Sequence, residues 1–252
     1  MAKIVKNDHH LEKEYIEEKS QRPVCIAAFV AMAIVAALCG AGHMLTGSAL
    51  AAFLAVAALV FGFVALAAGS LKSDDKAEIL KSGIEGEMYT AHILAELPRG
   101  YTVVQDVHVT YDGRTSEIDN IVVGKTGVFV IETKNSKGTI IGDYDDKDWQ
   151  QHKIGRGGTH YDKTLYNPVK QVNTHIFRLA NYLRKNGVNT YVKGIVYFAN
   201  PEATLHLSGE TGDVPVFDYR HQNHMLDYII NNEQNLTDKQ IKKTAALIRS
   251  SK

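Results

Sequence analysis

The sequence predicts a mixed α/β domain preceded by a pair of apolar helices. Two observations carry this. From Pro23 to Leu71 the chain runs 49 residues without an Asp, Glu, Lys or Arg, so all 56 charges sit on the rest. Beyond that gap the hydrophobic pattern alternates between helical and strand-like periods, in the order helix, three strands, helix, strand.

Whole-chain averages conceal this division. The 252 residues are 45% hydrophobic, with 28 basic and 28 acidic side chains, which excludes a disordered chain and a disulfide-rich module. Zero net charge excludes a protein that holds nucleic acid by bulk charge alone. The two Cys, Cys25 and Cys39, both lie inside the gap, so thiol chemistry is excluded from the remainder.

Residues 1–22 form a polar cytoplasmic segment in which Asp8 to Arg22 predicts a short surface helix. Within 23–71, Val24 to Gly42 and Ala49 to Ala68 are apolar runs of 19 and 20 residues, joined by the turn His43 to Ser48. At about 1.5 Å per residue each run spans roughly 30 Å, the depth of a bilayer core. They predict a two-helix transmembrane hairpin. Lys and Arg flank it on both outer sides and are missing from the turn, which puts both ends in the cytoplasm, at a bacterial plasma membrane. The many Ala and Gly favour close helix packing and allow a homo-oligomer.

Residues 72–82 are a linker, with Ser73, Asp74 and Asp75 resembling a helix start. The helix is expected to run to Leu97. Its inward stripe reads Ile84, Met88, Ala91, Leu94 and Ala95, with Glu87 on it. An ionised Glu there needs a partner: a metal site or Lys134. Tyr101 to Val109 alternates as a strand, Tyr111-Asp112-Gly113-Arg114 is a turn, and Glu117 to Val123 and Gly127 to Lys134 are the next strands. Ile140-Ile141 suggests another, whereas 142–166 reads as irregular. Asn167-Pro168 opens a helix, as N-cap and first helical residue, with Val172, Ile176, Leu179 and Leu183 facing inward. Tyr191 to Ala199 is a further strand. Residues 83–200 are thus expected to form the main domain. In 201–252 a strand at Val214 to Phe217 and two helices, the last from Thr237, would pack on it.

A two-residue loop at Lys125-Thr126 sets Asp119 opposite Glu132 and Glu117 opposite Lys134. Asp119, Glu132 and Lys134 then share one face. Facing carboxylates repel, and a divalent cation with hard oxygen ligands relieves this. Lys134 could orient a water or stabilise charge at phosphorus. A solvated charged face of an edge hairpin is the other reading of the same residues. Trp149, Tyr144, Tyr161 and Tyr166 suit base stacking or loop packing equally, and His152, His160 and His175 have no metal-ligand spacing.

Four segments, Gly83-Ile84-Glu85-Gly86-Glu87, Ile118-Asp119, Val130-Ile131-Glu132-Thr133-Lys134 and Asn167-Pro168-Val169-Lys170-Gln171, together resemble the nuclease-related domain, NERD, of the PD-(D/E)XK nuclease superfamily. The resemblance covers about 82 to 200 and implies a restriction-endonuclease-like core. It implies Mg²⁺ (or Mn²⁺) held by Glu87, Asp119 and Glu132, with Lys134 assisting the attacking water and Gln171 positioning the site. Ile118 stands where the superfamily often has Pro. The expected function is a membrane-anchored, metal-dependent nuclease acting on nucleic acid, DNA favoured. The alternative is a non-catalytic membrane-tethered module that binds nucleic acid or protein through the same fold.

Overall fold

The computed structural model describes residues 1–6, 11–20, 30, 33–34, 37, 41, 49–154 and 158–251, without the side chains of 49, 51, 52, 55, 58 and 64–75. The chain divides into two compact units, one of Met1–His9 with Gly83–Lys252, the other His10–Ser82.

In the smaller unit residues 11–20 are helical, and Lys76 pairs with Glu14 at 3.3 Å and Glu18 at 2.8 Å. Helix α1 runs Ala49–Leu94, so the expected start at Ser73 is absent: a helix already formed upstream needs no new cap there. The expected transmembrane hairpin is not found. Among the described residues no helix is long and apolar enough to cross a membrane. The turn and most of the first apolar run lie outside the described residues.

The larger unit is built on a six-stranded sheet. Its strands are β1 (Lys3–Lys6), β2 (Thr102–Tyr111), β3 (Arg114–Gly124), β4 (Gly127–Lys134), β8 (Val192–Phe198) and β10 (Val216–Asp218), in that order. A second, four-stranded sheet has the order β7 (His160–Tyr166), β6 (Asp148–Ile154), β5 (Gly138–Asp143) and β9 (Ala203–Ser208). Three helices complete the unit: α2 (Pro168–Lys185), α3 (Gln222–Ile230) and α4 (Asp238–Ser250).

Turn chemistry sets the register of the first sheet. Asp112 and Gly113 both take positive φ, 52° and 69°, as a two-residue hairpin loop requires, and pair Tyr111 with Arg114. The loop at Lys125-Thr126 pairs Gly124 with Gly127 and Asn120 with Ile131, the register that the sequence predicts. Val128 and Val130 face α2 and α4, in a core with Val172, Leu179, Leu183 and Ile248. Phe129 and Ile131 face the end of α1 and α3, in a core with Ile93, Leu94, Leu97 and Met225.

Three sequence expectations are corrected here. Residues 142–166 are not irregular; they hold β6 and β7. The side of that hairpin that is buried at Trp149 also carries Gln151, Lys153 and the exposed Lys163, so no apolar alternation marks the strands. Strand β1 pairs in parallel with Thr102–Gln105, where only a surface helix was expected near the N-terminus. From Gly83 to Leu94 of α1 the buried residues are Gly86, Thr90, Ile93 and Leu94, while Met88 is 60% exposed. The helix is turned from the expected stripe because Gly86 is its point of closest approach to the sheet.

Candidate active site

The site gathers at the end of β4. Glu132 is 2% exposed, and Lys134, two residues on, returns to the same side of the strand. The Lys134 ammonium donates to Glu132 Oε1 at 2.6 Å and to Gln171 Oε1 at 3.0 Å. Gln171 belongs to the first turn of α2, which is anchored at Asn167. The Asn167 Oδ1 accepts from Val169 N at 2.9 Å, and its amide donates to the carbonyls of Tyr144 at 3.0 Å and Asp146 at 2.7 Å. One helical turn after Gln171, the buried His175 brings Nε2 to 3.4 Å from Glu132 Oε2. That contact falls short of hydrogen-bond geometry: Oε2 and both His175 ring nitrogens make no hydrogen bond among the described residues. Burial pushes the Glu132 carboxyl up, but Lys134 and then His175 outweigh it and hold it below its ordinary range.

Asp119 stands beside this pair on β3. The backbone ladder between β3 and β4 is regular to Asn120 and Ile131; beyond it Thr133 N donates to Asp119 Oδ2 at 2.7 Å. Side-chain alternation slips here on both strands. Val104 and Val107 enter the same core, as do Ile118 and Ile121, although three residues separate each pair. Asp106, the residue facing Asp119 in the β2–β3 register, absorbs the slip at φ +53°. The left-handed region costs an L-residue roughly 1–2 kcal/mol, and Asp tolerates it better than most. Burial, then Glu132, then Glu87 raise Asp119 well above its ordinary pKa.

Glu87 completes the row from α1. A Cβ on Gly86 would lie 2.6 Å from Asn135 Cβ, so only Gly lets the helix come this close to the end of β4. That approach sets Glu87 beside the sheet. Burial first, then the charges of Asp106 and Glu117, push its carboxyl up to about 7, with Lys6 opposing. Asp106, His108 and Glu117 form a group whose ligand atoms lie within 4.8 Å of one another.

Of the residues the sequence singled out, Glu132, Lys134 and Gln171 are in direct contact. Asp119 and Glu87 join them through the field of their charges, without converging to that distance. Lys134 is engaged by Glu132 and Gln171, so it does not supply the partner expected for Glu87. Three residues escaped the sequence reading as site members. His175 was signalled by its helical spacing from Gln171. His108 was signalled by the turn at Asp112-Gly113, which sets it opposite Glu117. Asp106 has no sequence signal, because its place depends on the slip. Trp149 does not stack on bases: it is fully buried, donates to the Asp143 carbonyl at 2.8 Å and packs against Phe198.

The donor set suits a hard divalent cation. Asp119 and Glu132 share one Lys while Glu87 adds a third carboxylate to their field, and a buried Glu132 oxygen has no hydrogen-bond donor among the described residues. A cation would supply the missing compensation.

Residues 82–199 match the model of NERD, the nuclease-related domain, and that span contains Glu87, Asp119, Glu132, Lys134 and Gln171. An uncharacterized protein of Bacillus anthracis is 38% identical over 96 residues, which are 37% of this chain and 43% of that protein. The chain thus spans less than half the length of this relative. Among solved structures, a Vibrio cholerae protein aligns over 95% of this chain and 58% of its own, at 11% identity and a TM-score of 0.27. Residues 82–199, a little under half of the chain, thus match the nuclease-related domain, and they lie within a mixed α/β fold.

Proposed function

We propose that this NERD domain is a divalent-metal-dependent nuclease that hydrolyses phosphodiester bonds of nucleic acid, DNA in the first place, and that residues 23–71 hold it at a membrane. The observation that carries the reading is the Lys134 ammonium fixed between Glu132 and Gln171, beside a buried carboxylate oxygen with no hydrogen bond. Mg²⁺ or Mn²⁺ held by Glu87, Asp119 and Glu132 would activate a water and neutralise phosphate charge. The remaining work falls to the chain. Lys134, its orientation fixed by Gln171, directs the water and stabilises the charge that builds on the phosphoryl oxygens. The water oxygen bonds to phosphorus, the bridging P–O bond breaks, and the leaving oxygen takes a proton. His175 sits behind Glu132 and keeps solvent from that side.

Membrane attachment has support of two kinds. One is the uncharged stretch from Pro23 to Leu71. The other is topological. Strand β1 precedes that stretch and pairs with β2, which follows it. A segment whose two flanks join one sheet has to leave a bilayer on the side it entered, which suits a hairpin of two spans. The Lys and Arg on both flanks favour the cytoplasmic side of a plasma membrane, and the Ala/Gly-rich spans favour self-association. Within the larger unit, 83–200 would supply the chemistry and 201–252 would pack on it.

One observation favours a second reading, a non-catalytic tethered module that binds nucleic acid or protein. Among the described residues the group with ligand atoms within 4.8 Å is Asp106, His108 and Glu117, which does not include Glu132. Cleavage decides between the readings. Detergent-purified full-length protein should cut labelled DNA with Mg²⁺ or Mn²⁺ and stop with EDTA. A double variant, Glu132→Ala with Lys134→Ala, should be inactive. Equal activity in that variant removes the nuclease assignment; metal binding without cleavage of any DNA or RNA favours the module.

A further inference from the structure

The β6–β7 hairpin has two chemically different faces. It pairs from Asp148 and Tyr166 at its root to Ile154 and His160 near its tip. Alternation places Trp149, Gln151 and Lys153 of β6 on one face, with Leu165, Lys163 and Tyr161 of β7 opposite them. Both acids of the two strands, Asp148 and Asp162, fall on the other face, where Asp162 contacts His152 at 2.6 Å. The first face therefore carries two lysines and no acid.

That face changes character along its length. At the root Trp149 is buried in the core. Gln151 is also buried, and its amide donates to the Lys137 carbonyl at 2.8 Å. Towards the tip Lys163 is exposed, Lys153 half-buried and Tyr161 49% exposed. An exposed aromatic ring, an exposed lysine and a half-buried one thus share one side of the two-stranded hairpin.

The hairpin is tied to the candidate active site at its root and again towards its tip. Strand β7 passes through Asn167 into the helix turn that carries Gln171, and Asn167 N donates to the Lys147 carbonyl at 2.9 Å. On the other side, Gly138 lies four residues beyond Lys134, and a Cβ there would lie 3.2 Å from the Lys153 Cα and Cβ. The basic face therefore begins next to the exit of β4.

We propose that this face seats a single-stranded segment of the DNA whose phosphodiester lies at Lys134, with Lys153 and Lys163 on phosphates and Tyr161 stacked on a base. Cationic groups along a backbone path with an aromatic platform are the chemistry that recognises single strands without reading sequence. The charge complementarity is local, which a chain of zero net charge needs. The proposal rests on the nucleic-acid reading of the site.

The test is binding without turnover. Full-length protein in detergent is titrated into fluorescein-labelled oligo(dT), about 20 nucleotides long, with EDTA present, and anisotropy is read over a range of salt. Wild type should bind with a clear salt dependence. Lys153→Ala with Lys163→Ala should flatten the log–log salt slope by about 1.4 and weaken binding by about ten-fold at moderate salt. Tyr161→Ala should weaken it by at least about five-fold with the slope unchanged, and Tyr161→Trp should restore it. The control pair Lys239→Ala with Lys242→Ala, exposed on α4, should bind like wild type. All variants are checked for unchanged thermal melting. Wild-type binding by the hairpin variants overturns this proposal and leaves the nuclease reading standing, as does an equal loss in the control pair. A wild-type protein that binds no oligo(dT) overturns this proposal as well, and failure to cut DNA with Mg²⁺ or Mn²⁺ is what would overturn the nuclease reading.

Discussion

Glu132 and Glu87 belong to one row of carboxylates, yet their surroundings drive them in opposite directions. Glu132 is the more buried and is still held ionised, because Lys134 and His175 stand against it. Glu87 is raised first by its burial and then by Asp106 and Glu117, to a pKa of about 7. Asp119 lies between them and feels both. Burial alone does not set the charge of a carboxylate here; the sign of its neighbours does. The difference divides the site into a compensated half, built by β4 and α2, and an uncompensated half, built by α1, β2 and β3. A cation has most to offer the second.

The largest effect is expected from breaking the compensated half. Glu132→Ala leaves Lys134 without its carboxylate in a mostly buried position and should destabilise the protein by about 3 kcal/mol, while abolishing cleavage. Urea melts and nuclease assays check the two effects, and an unchanged melt would mean that the pair contributes nothing net.

A smaller effect should come from moving the uncompensated half as a body. Gly86→Ala puts a methyl into Asn135 and should cost about 1–3 kcal/mol, less about 1 kcal/mol regained in helix propensity. Because the helix must back away, Glu87 moves with it, so metal affinity should fall even where stability recovers. Titration of Mn²⁺ into the variant reads this directly.

The smallest is a pH effect. Glu87 has a folded pKa above its unfolded value, so the folded state binds more protons across the window from the ordinary value of 4.5 to about 7. Metal-free stability should therefore fall as pH rises through that window, by roughly 1–2 kcal/mol after solvent screening. Glu87→Gln should flatten that dependence. Melting curves between acid and neutral pH measure it, and a wild type as flat as the variant would show that the two halves do not differ in the way described.

The same division explains what was legible in the sequence. The compensated half follows from local rules. Gly124 and Gly127 bracket a two-residue loop and fix the register of Glu132, and Asn167-Pro168 fixes the helix start that carries Gln171. The uncompensated half depends on features that leave no pattern. Asp106 adopts a left-handed conformation that shifts alternation on two strands at once. The face of α1 is set by Gly86 meeting Asn135, which hydrophobic periodicity misses by about a third of a turn and so exposes Met88. The second sheet was hidden for a related reason: Gln151, Lys153 and Lys163 share the side of the hairpin that carries the buried Trp149, so the strands show no apolar alternation. Strand β1 has only Ile4 and Val5 between two lysines, too little to read as a strand without the open edge of β2 to receive it.

The central claim is that Lys134, fixed by Glu132 and Gln171, acts on a phosphodiester. It is tested most directly by single-turnover cleavage of DNA with Mg²⁺, using full-length protein in excess. Lys134→Ala should still bind the DNA and should cut it at least about 100-fold more slowly than wild type. Equal rates for the two proteins, or no cleavage by wild type under any metal, would contradict it.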